Sequence, residues 1–149
     1  MRETFSSALK EAMKAGDKRR VATLRMIQAG LKDREIEARG QSRVVSDEDI
    51  LVLLQKMVKS RQESLEIFDK AGRRDLAAQE REEIEIIREF LPQSLSDDEM
   101  AAAVAEAVTE SSASGMKDMG KVIALLRSRF AGRMDFGKAS ALVKAQLGG

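Results

Sequence analysis

A single proline interrupts these 149 residues. It is Pro92, in the run Phe90-Leu91-Pro92-Gln93-Ser94-Leu95-Ser96-Asp97-Asp98-Glu99. Proline has no N–H to give a helix and clashes with the turn before it; it also pushes its predecessor, here Leu91, out of the helical region. Almost everything on either side reads as helix. Pro92 is therefore the one hard stop, and the expected boundary between an N-terminal module, residues 1–92, and a C-terminal one, residues 93–149.

Apolar spacing predicts seven helices. The first covers about 3–15, with Phe5, Leu9, Ala12 and Met13 on one side, and stops at Gly16-Asp17. The second runs from Lys18 to about Arg39 on a stripe of Leu24, Ile27 and Leu31. Ser46 reads as the N-cap of the third, with Asp47, Glu48 and Asp49 in its first turn; Ile50, Leu54, Met57, Leu65 and Phe68 form its stripe, and Gly72 closes it. The fourth runs from about Arg74 to Leu91, with Leu76, Ile84, Ile87 and Leu91 inward. Its Glu80, Glu82, Glu83, Glu85 and Glu89 read as a solvated face with ion pairs to Arg81 and Arg88. Ser96 and Glu99 form a capping box ahead of the fifth, which carries Met100, Val104 and Val108. Asp118 is expected to cap the sixth, 119–130, and Asp135 the seventh, with Phe136, Ala139, Leu142, Val143 and Leu147 apolar. No period-two pattern competes, so the expected fold is all-α: a bundle of about four helices, then a three-helix tail.

The residue inventory narrows the chemistry. There is no His, Cys, Tyr or Trp, and Phe is the only aromatic. That removes the commonest general base, the thiol nucleophile, imidazole and thiolate metal ligands, and most stacking platforms. No motif implies a cofactor, a metal site or a catalytic set, and a self-contained enzyme is disfavoured. Asp47-Glu48-Asp49 lacks an EF-hand spacing, and Gly115…Gly120 lacks the strand and the Gly-Lys-Ser/Thr ending of a phosphate loop. No run approaches a membrane span, and the N-terminus Met1-Arg2-Glu3-Thr4-Phe5 has no apolar signal region. With cysteine absent as well, the expected compartment is the cytoplasm.

The formal net charge is +1, but the charge is unevenly placed. Gln93–Ser112 holds only acids, whereas from Ala113 onward Lys117, Lys121, Arg127, Arg129, Arg133, Lys138 and Lys144 face only Asp118 and Asp135. At about 100° per residue, Lys121 and Arg129 fall on one flank of the sixth helix and Arg127 on the other. Arg133 follows in the turn, so Lys121, Arg129 and Arg133 are expected to share a patch suited to phosphates. A second row, Lys18, Arg25, Lys32 and Arg39, recurs every seven residues along the second helix. It suits either a polyanion or ion pairs with the Glu-rich fourth helix.

Lys14-Ala15-Gly16-Asp17-Lys18-Arg19, Thr23-Leu24-Arg25, Phe90-Leu91-Pro92-Gln93-Ser94-Leu95-Ser96, Asp118-Met119-Gly120-Lys121-Val122 and Gly132-Arg133-Met134-Asp135 together resemble the GatB/YqeY family, in its free-standing YqeY-like form. The segment after Pro92 is similar to the tail domain of the B subunit of glutamyl/aspartyl-tRNA amidotransferase. The resemblance implies a tail that helps bind tRNA near its elbow, while in that subunit the chemistry belongs to other domains. Lys121, Arg129 and Arg133 match basic sites of that tail. Ala131 stands where many members carry another base, Lys138 falls one residue later than the usual lysine, and Phe136 replaces a typical glycine.

The implied function is a non-catalytic tRNA-binding accessory module. Its expected contacts are Lys121, Arg129, Arg133 and Lys138, with Lys18, Arg25 and Lys32 extending the footprint. Two alternatives stand beside it: an accessory role in a carbon–nitrogen ligase reaction with glutamine as amide donor, and an adaptor for an aminoacyl-tRNA synthetase or amidotransferase component. Neither DNA nor a membrane is an expected partner.

Overall fold

A computed structural model describes residues 1–148, and among them the only regular elements are helices and one short turn of 3-10 helix. In order these are α1 (Arg2–Ala15), α2 (Lys18–Gly40), α3 (Asp47–Lys70), α4 (Arg74–Arg88), α5 (Asp97–Glu110), the 3-10 turn Met116–Asp118, α6 (Met119–Phe130) and α7 (Phe136–Gly148). The fold is all-α. Contacts divide it into two compact units, Met1–Leu91 and a second beginning at Pro92.

Local rules explain most helix ends. Ser46 accepts the Asp49 N–H while Asp49 accepts the Ser46 N–H, and Ser96 and Glu99 do the same ahead of α5. These bonds from Ser96 hold the Glu99 carboxyl below the usual range. At Asp135 the carboxylate accepts the N–H groups of Gly137 and Lys138. Helices α1 and α3 end on Gly16 and Gly72, whose φ of 68° and 71° suits a residue without a Cβ. Beyond each, the next N–H reaches back to a carbonyl of the last turn: Asp17 to Ala12 and Arg73 to Phe68. Asp118 departs from the expected cap. It makes no cap bond to α6; instead its carboxylate accepts the Ser114 N–H and closes the loop before the 3-10 turn.

The first unit is built from α1–α4, with Phe5, Leu24, Ile27, Ile50, Leu54 and Ile87 fully buried. Phe5 meets Phe90 edge to face, 5.1 Å between ring centres. Met13, expected on the inner side of α1, is 53% exposed; the buried side of α1 is Phe5, Ala8 and Ala12. Helix α4 ends at Arg88 rather than Leu91, since the residue before Pro92 is already disfavoured as helix.

The glutamates of α4 are the larger correction. Instead of lying on a solvated face served by Arg81 and Arg88, Glu83 is buried at 6% exposure. Its carboxylate accepts the Arg61 Nε of α3 at 3.0 Å and lies 3.9 Å from Arg19 of α2. Glu82 pairs with Arg19, Glu89 with Arg20, and Arg81 with Asp69. Glutamates thus join α4 to its neighbours, because in a three-sided packing an acid near the seam finds a cation on the facing helix.

Glu80 sits beside this layer with its Oε2 buried and no hydrogen-bond partner among the described residues. Burial, then repulsion from Glu83, pushes its carboxyl above the ordinary range, with Arg61 opposing. An acid whose pKa is raised on folding binds its proton more tightly in the folded chain. Its penalty is therefore absent below the unfolded-state pKa and grows as pH rises through the folded value. Glu80→Gln is expected to stabilise the first unit at neutral pH and to lose that advantage in acid. Denaturant midpoints of both proteins at pH 7 and near pH 4 test this; an equal gap at both would contradict it.

The second unit packs α5, α6 and α7 around Met100, Val104, Val122, Leu126, Met134, Ala139 and Val143. Gln93–Leu95 is tied to the turn after α6: Leu95 N–H donates to the Arg133 carbonyl at 2.8 Å, and Arg133 Nε donates to the Gln93 carbonyl at 3.0 Å. Leu142, expected among the apolar positions of α7, stands 38% exposed.

Candidate nucleic-acid interface

Helix α6 buries Val122 and Leu126, which fixes where its other side chains point. Lys121 and Arg129 are exposed. Arg127, on the opposite flank, lies over the Phe136 ring at 5.6 Å. That is cation–π distance, so Arg127 is engaged within the unit. The Phe that replaces a typical glycine supplies this partner.

The bases differ in how free they are. Lys121 forms no ion pair among the described residues, and with Lys117 it adds to the lowering of the Asp118 carboxyl, whose main cause is the Ser114 N–H. Arg129 is exposed but paired with Glu110 at the end of α5. An exposed pair of this kind contributes little and is readily exchanged for another anion. Arg133 is half-buried and spends its Nε on Gln93. Lys138 is exposed in the first turn of α7, and Lys117 and Lys144 are exposed as well.

In the first unit Lys18, Arg25, Lys32 and Arg39 are all exposed, with no ion pair or side-chain hydrogen bond among the described residues. The ion pairs to α4 come instead from Arg19 and Arg20, the next two residues after Lys18. A shift of about 100° per residue turns those two toward α4 and leaves the seven-residue row in solvent. Sequence spacing found the row; the pairing depended on which side of α2 packs. No group of three or more acids able to hold a metal ion occurs among the described residues.

Two helical units, each with its own core and with exposed cations on α2, α6 and α7, define a small all-α protein. Its family is shown by sequence: the family model described as Yqey-like protein matches residues 2–147, and the chain belongs to that family. Among relatives, a protein of Lachancea thermotolerans named Altered inheritance of mitochondria protein 41, mitochondrial, is 38% identical over 104 residues, covering 68% of this chain and 54% of its own length. The chain thus spans about half of that relative. A protein of the same name from Pyrenophora tritici-repentis is 27% identical over 126 residues, 81% of this chain and 68% of its own. An uncharacterised protein of Schizosaccharomyces pombe is 35% identical over 89 residues, 60% of this chain and 70% of its own.

These names overturn the cytoplasmic expectation, since two of the three relatives are named as mitochondrial. The premise was weak on physical grounds. Mitochondrial targeting segments are amphipathic and Arg-rich, so the lack of an apolar signal region says nothing against that compartment.

Proposed function

We propose that this chain is a tRNA-binding accessory protein in which the second unit contacts the phosphates of the folded RNA. The observation that supports it is the sorting of bases around α6. Lys121 and Arg129 stand exposed on one flank, Arg129 paired with Glu110, while Arg127 on the other flank, also exposed, lies over the Phe136 ring. Lys138 adds an exposed cation at the start of α7. Likeness of the segment after Pro92 to an amidotransferase tail supplies the class of RNA. Cations at spaced positions without stacking aromatics read backbone shape rather than sequence. Arg133 contributes by holding Gln93 in place and by its remaining guanidinium nitrogens.

The test is a titration against total tRNA, and against an unstructured RNA of equal length, at several salt concentrations. Tighter binding of tRNA, with a steep salt dependence, is expected. The triple variant Lys121→Glu, Arg129→Glu, Lys138→Glu leaves the Arg133–Gln93 tie intact and is expected to fold. It should reduce the logarithmic salt slope by about 2–3 and abolish measurable binding at physiological salt. A triple variant that binds tRNA like the parent would overturn the reading.

A further inference from the structure

The core side of α2 carries Leu24, Ile27 and Leu31. About half a turn away lies a strip that nothing in the first unit covers: Ala22, Ala29 and Ile36 are exposed, Ile36 by 60%. At about 100° per residue these three stay within roughly 40° of one another. The row Lys18, Arg25, Lys32 and Arg39 runs along one edge of the strip, roughly 50° away, for about 31 Å. Across the strip, on the other edge, stand Asp33 and Glu37, also exposed.

We propose that this outward face of α2 docks an amphipathic helix of a partner protein, one that lays an apolar seam on Ala22, Ala29 and Ile36 and carries acids along the edge facing Lys18, Arg25, Lys32 and Arg39. Charge complementarity selects this occupant. A nucleic acid lying over the strip would bring phosphates onto Asp33 and Glu37 and gain nothing from Ile36. A helix charged on one edge only satisfies the cations, avoids the two acids and buries the apolar strip. Alanine at two of the three seam positions allows a close approach, and the seven-residue repeat keeps such contacts in register along the ridge. A second copy of α2 packed antiparallel sets its own cations against these, and one packed in parallel offers the row only Asp33 and Glu37. The proposal is independent of the tRNA reading, which rests on the second unit.

The test uses the full chain and a synthetic acidic helical peptide, about three heptads long, with Glu at every seventh position beside an Ala/Leu seam. A scrambled peptide of equal composition and a structured RNA serve as competitors. Arg25→Glu with Lys32→Glu, and separately Ala29→Gln with Ile36→Ser, change exposed positions only, so helical content by circular dichroism is expected to hold. Each pair should weaken peptide binding about tenfold or more, while neither changes tRNA affinity. Equal binding of the scrambled peptide, no binding of either peptide, or indifference to the seam pair would overturn the proposal. So would RNA binding lost in the charge-reversed pair but kept in the seam pair, which would mark the row as a phosphate contact.

Discussion

Replacing Glu83 by alanine is expected to cost the first unit about 3–5 kcal/mol, the usual cost of stranding one partner of a buried ion pair. The Arg61 guanidinium would keep its bond to the Met57 carbonyl and its contact with Met26 but lose the carboxylate at 3.0 Å that neutralises it. Arg19, 3.9 Å from the same carboxylate, would keep only Glu82. The alternative to pairing for a guanidinium is solvation, and Arg61 is too enclosed to regain it fully. A double variant, Arg61→Leu with Glu83→Leu, removes both charges together and is expected to recover most of the loss, since apolar replacements of buried pairs are often neutral or stabilising. Urea unfolding of the three proteins is the measurement. A loss below about 1 kcal/mol in Glu83→Ala would mean that the pair behaves as a surface one.

Leu126→Ala is expected to unfold much of the second unit at physiological temperature. Leu126 is fully buried among Val104, Val122, Met134 and Val143. Leucine-to-alanine changes in cores cost about 2–5 kcal/mol, more where the surroundings cannot collapse into the gap. A unit of this size holds roughly 3–9 kcal/mol in all, so the substitution takes most of it. Its core has few large side chains and no disulfide, which leaves little to absorb the cavity. Amide exchange of α5–α7 should rise sharply while that of α1–α4 holds. Retained protection in α5–α7 would show that the remaining side chains refill the space.

Much of the local architecture was legible because it is set within a few residues along the chain. The Ser46–Asp49 and Ser96–Glu99 boxes, the Asp135 cap and the glycine ends at Gly16 and Gly72 each involve neighbours within five positions. Fold class followed from the same signals. Where a side chain's fate depended on a distant segment, spacing was a poorer guide. Met13 and Leu142 sit at apolar spacing yet face solvent, because the stripe of a helix is wider than the surface that covers it. Asp118 found the Ser114 N–H before it found an N-terminus to cap.

The same divide runs through the candidate sites. Helical geometry separated Arg127 from Lys121 and Arg129, but pairing of Arg129 with Glu110 depends on how α5 lies against α6. The tie from Arg133 to Gln93 spans 40 residues, and the Arg19–Glu82 bond spans 63. The sequence by itself determined seven helices, most of their caps, the break at Pro92 and the seven-residue row of cations on α2. Only the tertiary structure decided which charges are spent on neighbouring helices, Glu83 and Arg61 inside and Arg19 at the surface, and which remain free. Caps and periodicity are energies of contacts five residues apart or closer, whereas an ion pair belongs to whichever helix faces come to pack together.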